Sequence, residues 1–193
     1  MKKTVFLLTG LLCLTFAAMA LPGDPLEDPR DGNTYRTVEI GDQLWMQENL
    51  AFAPEDGNYW VYADDPENAE VYGYLYDFET AAEVCPPGWR LPSADDMSAL
   101  ADYVTSDGTD IHDALIEGGS SGFEATMGGF VRSASGSFFG MGETGYWITS
   151  TTCESDYHVF HLMVNDSAPF LTQVAGENIL KEDGLSVRCM KEM

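Results

Sequence analysis

Basic residues are scarce. The 193-residue chain carries 9 Lys and Arg against 32 Asp and Glu, a formal net charge of −23. Without a basic face it has no means of neutralising phosphates, which excludes nucleic acid and anionic membrane surfaces as partners. Only three histidines and four cysteines are present. That is too few for a zinc-rich or disulfide-dense fold. No internal repeat is visible, and no apolar run reaches the roughly 20 residues of a membrane span. What is present is hydrophobic content of 45% and aromatic content of 12%, too apolar for a disordered acidic chain. The length fits one domain that buries roughly 70% of its unfolded surface and folds without a metal.

Residues 1–20 read as a secretory signal. Lys2 and Lys3 form the charged start, Val5 to Phe16 the apolar stretch, and Ala18-Met19-Ala20 an A-x-A cleavage site. Loss of the two lysines moves the net charge from −23 to −25. Cys13 lies inside the apolar stretch after Leu12, which does not suit a lipidation site. Cleavage leaves Cys85, Cys153 and Cys189, so one internal bridge and one spare thiol are expected in an oxidising compartment. Three pairings exist. Phe78, Ala81, Ala82 and Cys85 fall on one helical face, and Leu185, Val187 and Cys189 on one strand face. Cys153 sits in a polar run, so Cys85–Cys189 is favoured. It closes a loop of about 105 residues, for which chain entropy gives roughly 4–5 kcal/mol as an upper figure.

Residues 21–30, with Pro22, Pro25 and Pro29, read as a short stiff linker, and 31–193 as a single domain. Tyr35 to Ile40 and Gln43 to Met46 read as a strand pair turning at Gly41-Asp42. Residues 53–70 read as a polar loop. Asp77 caps a helix that runs to about Cys85, before Pro86-Pro87. Ser93 with Asp96 forms a capping box for a helix carrying Met97, Leu100, Ala101 and Val104 on one face. A weaker helix spans Ile111 to Glu117, and Gly118 to Gly122 is a loop. Phe123 to Met127, Tyr146 to Ser150, Tyr157 to Val164, Phe170 to Val174 and Leu185 to Met190 read as strands. Strands, then helices, then strands predict an α+β fold with an antiparallel sheet.

Catalytic patterns do not hold together. Gly118-Gly119-Ser120-Ser121-Gly122 matches G-x-S-x-G, but a helix precedes it where a nucleophile elbow needs a strand. His158 and His161 are an odd number of residues apart on a strand, so they face opposite ways and cannot share an ion. His112 stands alone. Cys153 lacks an orienting third group for a nucleophile–base pair. Paired acids such as Asp64-Asp65, Asp95-Asp96 and Glu182-Asp183 are expected by chance in so acidic a chain. No cofactor is expected. The sites open to calcium are the oxygen-rich runs Asp107-Gly108-Thr109-Asp110 and Asn165-Asp166, although neither has EF-hand spacing. The aromatics Tyr59, Trp60 and Tyr62 in the polar loop suit stacking on sugar rings, with Asp64 accepting from sugar hydroxyls.

Several blocks together resemble one family. Asp28-Pro29-Arg30-Asp31-Gly32-Asn33-Thr34-Tyr35 and Gln43-Leu44-Trp45-Met46-Gln47-Glu48-Asn49-Leu50 are similar to the opening of the Fibrobacter succinogenes major paralogous domain. Gly73-Tyr74-Leu75-Tyr76, Cys85-Pro86-Pro87-Gly88-Trp89-Arg90-Leu91-Pro92-Ser93, Tyr146-Trp147-Ile148-Thr149-Ser150-Thr151 and Ser186-Val187-Arg188-Cys189 are similar to its later blocks. The resemblance implies a secreted or surface-displayed bacterial protein with a C-type-lectin-like fold, and it supports the Cys85–Cys189 pairing. Met97 stands where a tryptophan is expected, and Cys153 is extra. Arg-Leu-Pro and Val-Arg-Cys also resemble formylglycine-generating enzymes, whose active cysteine pair has no match here. The calcium motifs of animal lectins are not matched either. The expectation is a non-catalytic module that binds an extracellular ligand such as plant-wall polysaccharide. The alternative is a secreted enzyme acting on such material or modifying a protein.

Overall fold

A computed structural model describes residues 21–152, 158–165, 168–170 and 179–193. The expected signal at 1–20, Cys153 and Asp166 lie outside these residues, and so does the expected strand beyond Phe170.

The chain is sheet-rich α+β. Leu21–Pro22, Thr37–Ile40, Gln43–Met46 and Met190–Glu192 form a four-stranded antiparallel sheet that joins the first and last described strands. A second, larger sheet is built around Thr144–Thr152. This strand pairs antiparallel with Val159–Asn165, but parallel with Gly128–Arg132 and with Leu185–Ser186. The expected all-antiparallel sheet is therefore mixed. Long connections let both partners return in the same direction. Leu185 to Met190, expected as one strand, instead contributes Leu185–Ser186 to one sheet and Met190–Glu192 to the other.

Gly145 to Thr149, the middle of this strand, is buried on both faces, and two cores form on either side of it. Tyr146 and Ile148 join Met46, Leu185, Val187 and Cys189. Trp147 joins Trp45, Met97, Leu100, Phe123 and Met190. Cys85 and Cys189 are disulfide-bonded, fastening the second helix to the first core.

Four α-helices are present among the described residues. α1, Pro66–Tyr72, lies where a polar loop was expected. Asp65 accepts from the Glu67 amide, Pro66 opens the first turn and Gly73 ends the helix at φ +71°. None of its residues is buried, so it has no apolar stripe for periodicity to detect. α2, Phe78–Glu83, is capped by Asp77, whose carboxylate accepts from the Thr80 amide. α3, Ala94–Val104, has the Ser93–Asp96 capping box and buries Met97, Leu100, Ala101 and Val104. α4 is Ile111–Leu115. Residues 128–141, unassigned from sequence, form a hairpin of Gly128–Arg132 and Ser137–Met141. The expected strand Phe123 to Met127 reduces to one bridge at Ala125.

The expected linker is stitched into the fold. Leu26–Glu27 pairs with Thr34–Tyr35. Asp28 is fully buried and receives Arg30 Nε at 2.9 Å and Nη2 at 2.6 Å. Burial pushes the Asp28 carboxyl up, but the Arg30 hydrogen bonds and charge outweigh it and hold it below the usual range.

Asp96 carries a testable pH dependence. Hydrogen bonding from Arg90, at 2.6 and 2.9 Å, is the largest influence, and Ser93 adds to it; together they hold the carboxyl down at about 2. Its folded value lies below the ordinary 3.8, so its contribution is present above that pH and lost as the pH falls through the folded value. Arg90 is partly exposed, which screens the pair. Asp96→Asn is expected to cost about 1–2 kcal/mol at neutral pH, with the gap to wild type closing between about pH 4 and 2. Urea titrations of both proteins across that range would check it. A gap that stays constant would rule the ion pair out as the cause.

Candidate functional site

Tyr59–Trp60 pairs antiparallel with Leu75–Tyr76. Strand alternation therefore sends Tyr59 and Trp60 to opposite faces. Tyr59 is exposed, and its ring lies 5.2 Å from that of Tyr74 and 6.5 Å from that of Tyr76. Tyr76 is fully buried. Its hydroxyl donates to the Phe52 carbonyl at 2.8 Å and accepts from the Phe52 amide at 3.1 Å. Burial drives that phenol well above its ordinary range.

The other three candidates are not on the Tyr59 face. Trp60 is half-buried. A Cβ added at Gly184 would come within 2.6 Å of its ring, so Trp60 lies directly against the Gly184 backbone. Tyr62 is half-buried and packs on Phe138, ring to ring at 5.0 Å. Asp64 is exposed in a tight turn where both it and Ala63 have φ +56°. The structure brings Tyr59 together with Tyr74 instead.

One residue along the chain from Tyr59, a cleft of about 350 Å³ opens between the Phe52–Asn58 segment and α2. Gly57, at φ +107°, permits the close approach. A Cβ there would fall 2.5 Å from Thr80 Oγ1. The Asn58 amide donates to Thr80 Oγ1 at 2.8 Å, and Asn58 Nδ2 donates to Asp77 Oδ2 at 2.7 Å. Arg30 lines the cleft, its guanidinium held over the Phe52 ring at 3.7 Å and donating to the Val84 carbonyl. Asp56, Glu79 and Glu83 are exposed along the lining.

A second aromatic surface sits on the hairpin. Phe130 and Phe139 are cross-strand partners stacked at 5.2 Å, and Phe139 is 46% exposed. The sequence signal for it is the Phe138-Phe139 pair between Gly136 and Gly140, in a stretch left unassigned.

The remaining motif residues are spread through the fold. His161 is buried beside Tyr146, and His158 is half-buried. Asp110, His112 and Asp113 place their ligand atoms within 4.8 Å of one another. Asp110 also caps α4, and an imidazole in the set does not suit calcium, which takes oxygen ligands. Asp107 accepts from Thr109, whose hydrogen bonds hold its carboxyl below the usual range. Ser120 is exposed in a turn that follows a helix.

The family-like blocks meet in a buried polar cluster whose contacts their sequences do not announce. Asn49 donates to the Tyr72 carbonyl at 2.9 Å and to Ser186 Oγ at 3.3 Å. Its Oδ1 accepts from Trp147 Nε1 at 2.7 Å and Arg188 Nη2 at 2.9 Å. Arg188 is fully buried and also donates to the Phe123 and Glu124 carbonyls. Burial lowers its guanidinium to about 9, still charged at neutral pH. The Phe123 and Trp147 rings lie 4.3 and 5.4 Å from it.

The profile of the Fibrobacter succinogenes major domain matches residues 38–191. The chain belongs to this family. No curated protein and no solved structure matches the chain. The family span takes in the disulfide, the Asn49 cluster, Tyr59 and the α2 wall of the cleft. Asp28 and Arg30 precede it and are supplied by the segment in front. Among the described residues no helix is long and apolar enough to cross a membrane.

Proposed function

We propose that this family member is a secreted or surface-displayed bacterial binding module of C-type-lectin-like fold. It adheres to a neutral or weakly basic polysaccharide, such as plant-wall material, without turning it over. The observation that carries this reading is the exposed Tyr59 ring, packed on half-buried Tyr74, next to a cleft edged with hydrogen-bond acceptors. Aromatic faces take the apolar face of a sugar, and carboxylates and amides take its hydroxyls. The leader at residues 1–20 and the Cys85–Cys189 bridge support an extracellular setting. A sheet shared by the first and last described strands, and a disulfide running from just beyond α2 to the C-terminal segment, support the fold assignment.

Tyr59→Ala is expected to weaken adsorption to insoluble polysaccharide about tenfold, because one ring's worth of burial is lost. Tyr59→Phe should retain most of it. Depletion isotherms over cellulose, xylan and mannan would measure both. Equal binding by wild type and Tyr59→Ala would refute the stacking site. Release of soluble sugar would favour an enzyme. A loss on Trp60→Ala reports packing against Gly184 and does not discriminate.

A further inference from the structure

We infer that the cleft between the Phe52–Asn58 segment and α2 is a subsite for an amine-bearing sugar unit, so that the module prefers amino-sugar polymers to neutral ones. This deepens the polysaccharide reading and rests on it.

The cavity is prebuilt. Asp77 and Thr80 are at most 8% exposed, and both are tied to Asn58 across the mouth. The Phe52 backbone is fixed on the opposite wall by the buried Tyr76 hydroxyl. A volume of about 350 Å³ is at the small end of ligand sites. It suits one sugar unit rather than the flank of a polymer. Tyr59 follows Asn58 and offers a ring to the next unit.

The lining sets the chemistry. The one cation, Arg30, is already neutralised by Asp28, which takes Nε and Nη2. Its guanidinium face is stacked on Phe52. Asp56, Glu79 and Glu83 have no ion-pair partner among the described residues. The cleft therefore offers acceptors and uncompensated negative charge, but no cation for a uronic acid or sulfate. Neutral hydroxyls satisfy the acceptors. An ammonium group satisfies them and also gains from the charge.

The test is calorimetry of the full mature chain with β-1,4-linked tetramers of glucosamine, N-acetylglucosamine and glucose, and with tri-lysine, at pH 5.5 to keep the amines protonated. Wild type should bind the glucosamine tetramer about tenfold tighter than either neutral tetramer at low salt, and the ratio should shrink as salt screens the contact. Asp56→Asn combined with Glu79→Gln and Glu83→Gln should abolish the preference, so that the variant binds the glucosamine and glucose tetramers equally. Neutralising three acids outside the cleft, by Asp102→Asn, Glu117→Gln and Glu143→Gln, should leave the preference in place.

The inference is overturned if wild type shows no amine preference, if the cleft variant keeps it, or if the outside variant loses it equally. It is also overturned if tri-lysine binds as tightly as the glucosamine tetramer. Binding of neutral tetramers without an amine preference would sink this inference and leave the proposed function standing. Binding of none of the sugars would sink both.

Discussion

Replacing Asn49 with leucine is expected to cost about 3–5 kcal/mol. The side chain uses both of its donors and both lone pairs of its oxygen, which is its full capacity. Leucine leaves the Trp147 indole N–H without its acceptor. It also takes from Arg188 the one side-chain oxygen that its guanidinium reaches, while the charge stays fully buried. For a chain of this size the midpoint of thermal unfolding should fall by roughly 10 °C. Asn49→Asp separates the causes. A carboxylate still accepts from Trp147 and adds a counter-charge for Arg188, but cannot donate to Tyr72 or Ser186. It should cost less than leucine. Thermal and urea unfolding of the three proteins would check the order. A leucine variant within 1 kcal/mol of wild type would show that the cluster is not a determinant of stability.

Removing the disulfide should be comparably damaging. Cys189 is fully buried, and its bond to Cys85 closes a sequence separation of 104 residues. The loss expected for a loop this long is about 2–5 kcal/mol, mostly through a less constrained unfolded chain. Cys85→Ala combined with Cys189→Ala should therefore unfold at lower urea than wild type, and wild type in reductant should approach the variant. If reductant leaves wild type unchanged while the double variant is destabilised, lost packing around Cys189 is the cause instead of the cross-link.

What could be read from the sequence depended on whether a segment has one buried face. α3 was legible because Ser93 and Asp96 mark its start and four apolar residues share a stripe. The pairing of Thr37–Ile40 with Gln43–Met46 was legible from the Gly41-Asp42 turn. α1 was not, because it buries nothing, although Asp65-Pro66-Glu67 is a start signal that reads without periodicity. Leu185 to Cys189 misled in a different way. Alternation puts Leu185, Val187 and Cys189 on one inward face and says nothing for Ser186 and Arg188, yet all five are fully buried. A segment covered on both faces defeats a two-fold pattern. That is why the Asn49–Arg188 cluster was missed.

The candidate site was half legible for the same reason. Aromatic density around residue 59 pointed to a segment that carries the exposed Tyr59 ring. It could not say that Tyr59 and Trp60 part to opposite faces, or that Tyr62 is taken up by Phe138. The cleft depends on Gly57 meeting Thr80, a contact between residues 23 apart with no local trace.

The central claim is that this protein holds a sugar polymer at the Tyr59–Tyr74 face and the adjoining cleft. Amide NMR of the labelled mature chain, titrated with a glucosamine or glucose tetramer, tests it most directly. The account predicts shifts concentrated at residues 52–59, 74 and 77–83, saturating together, with the ligand recovered intact. No shifts, shifts centred on the Phe130–Phe139 hairpin, or a cleaved ligand would contradict it.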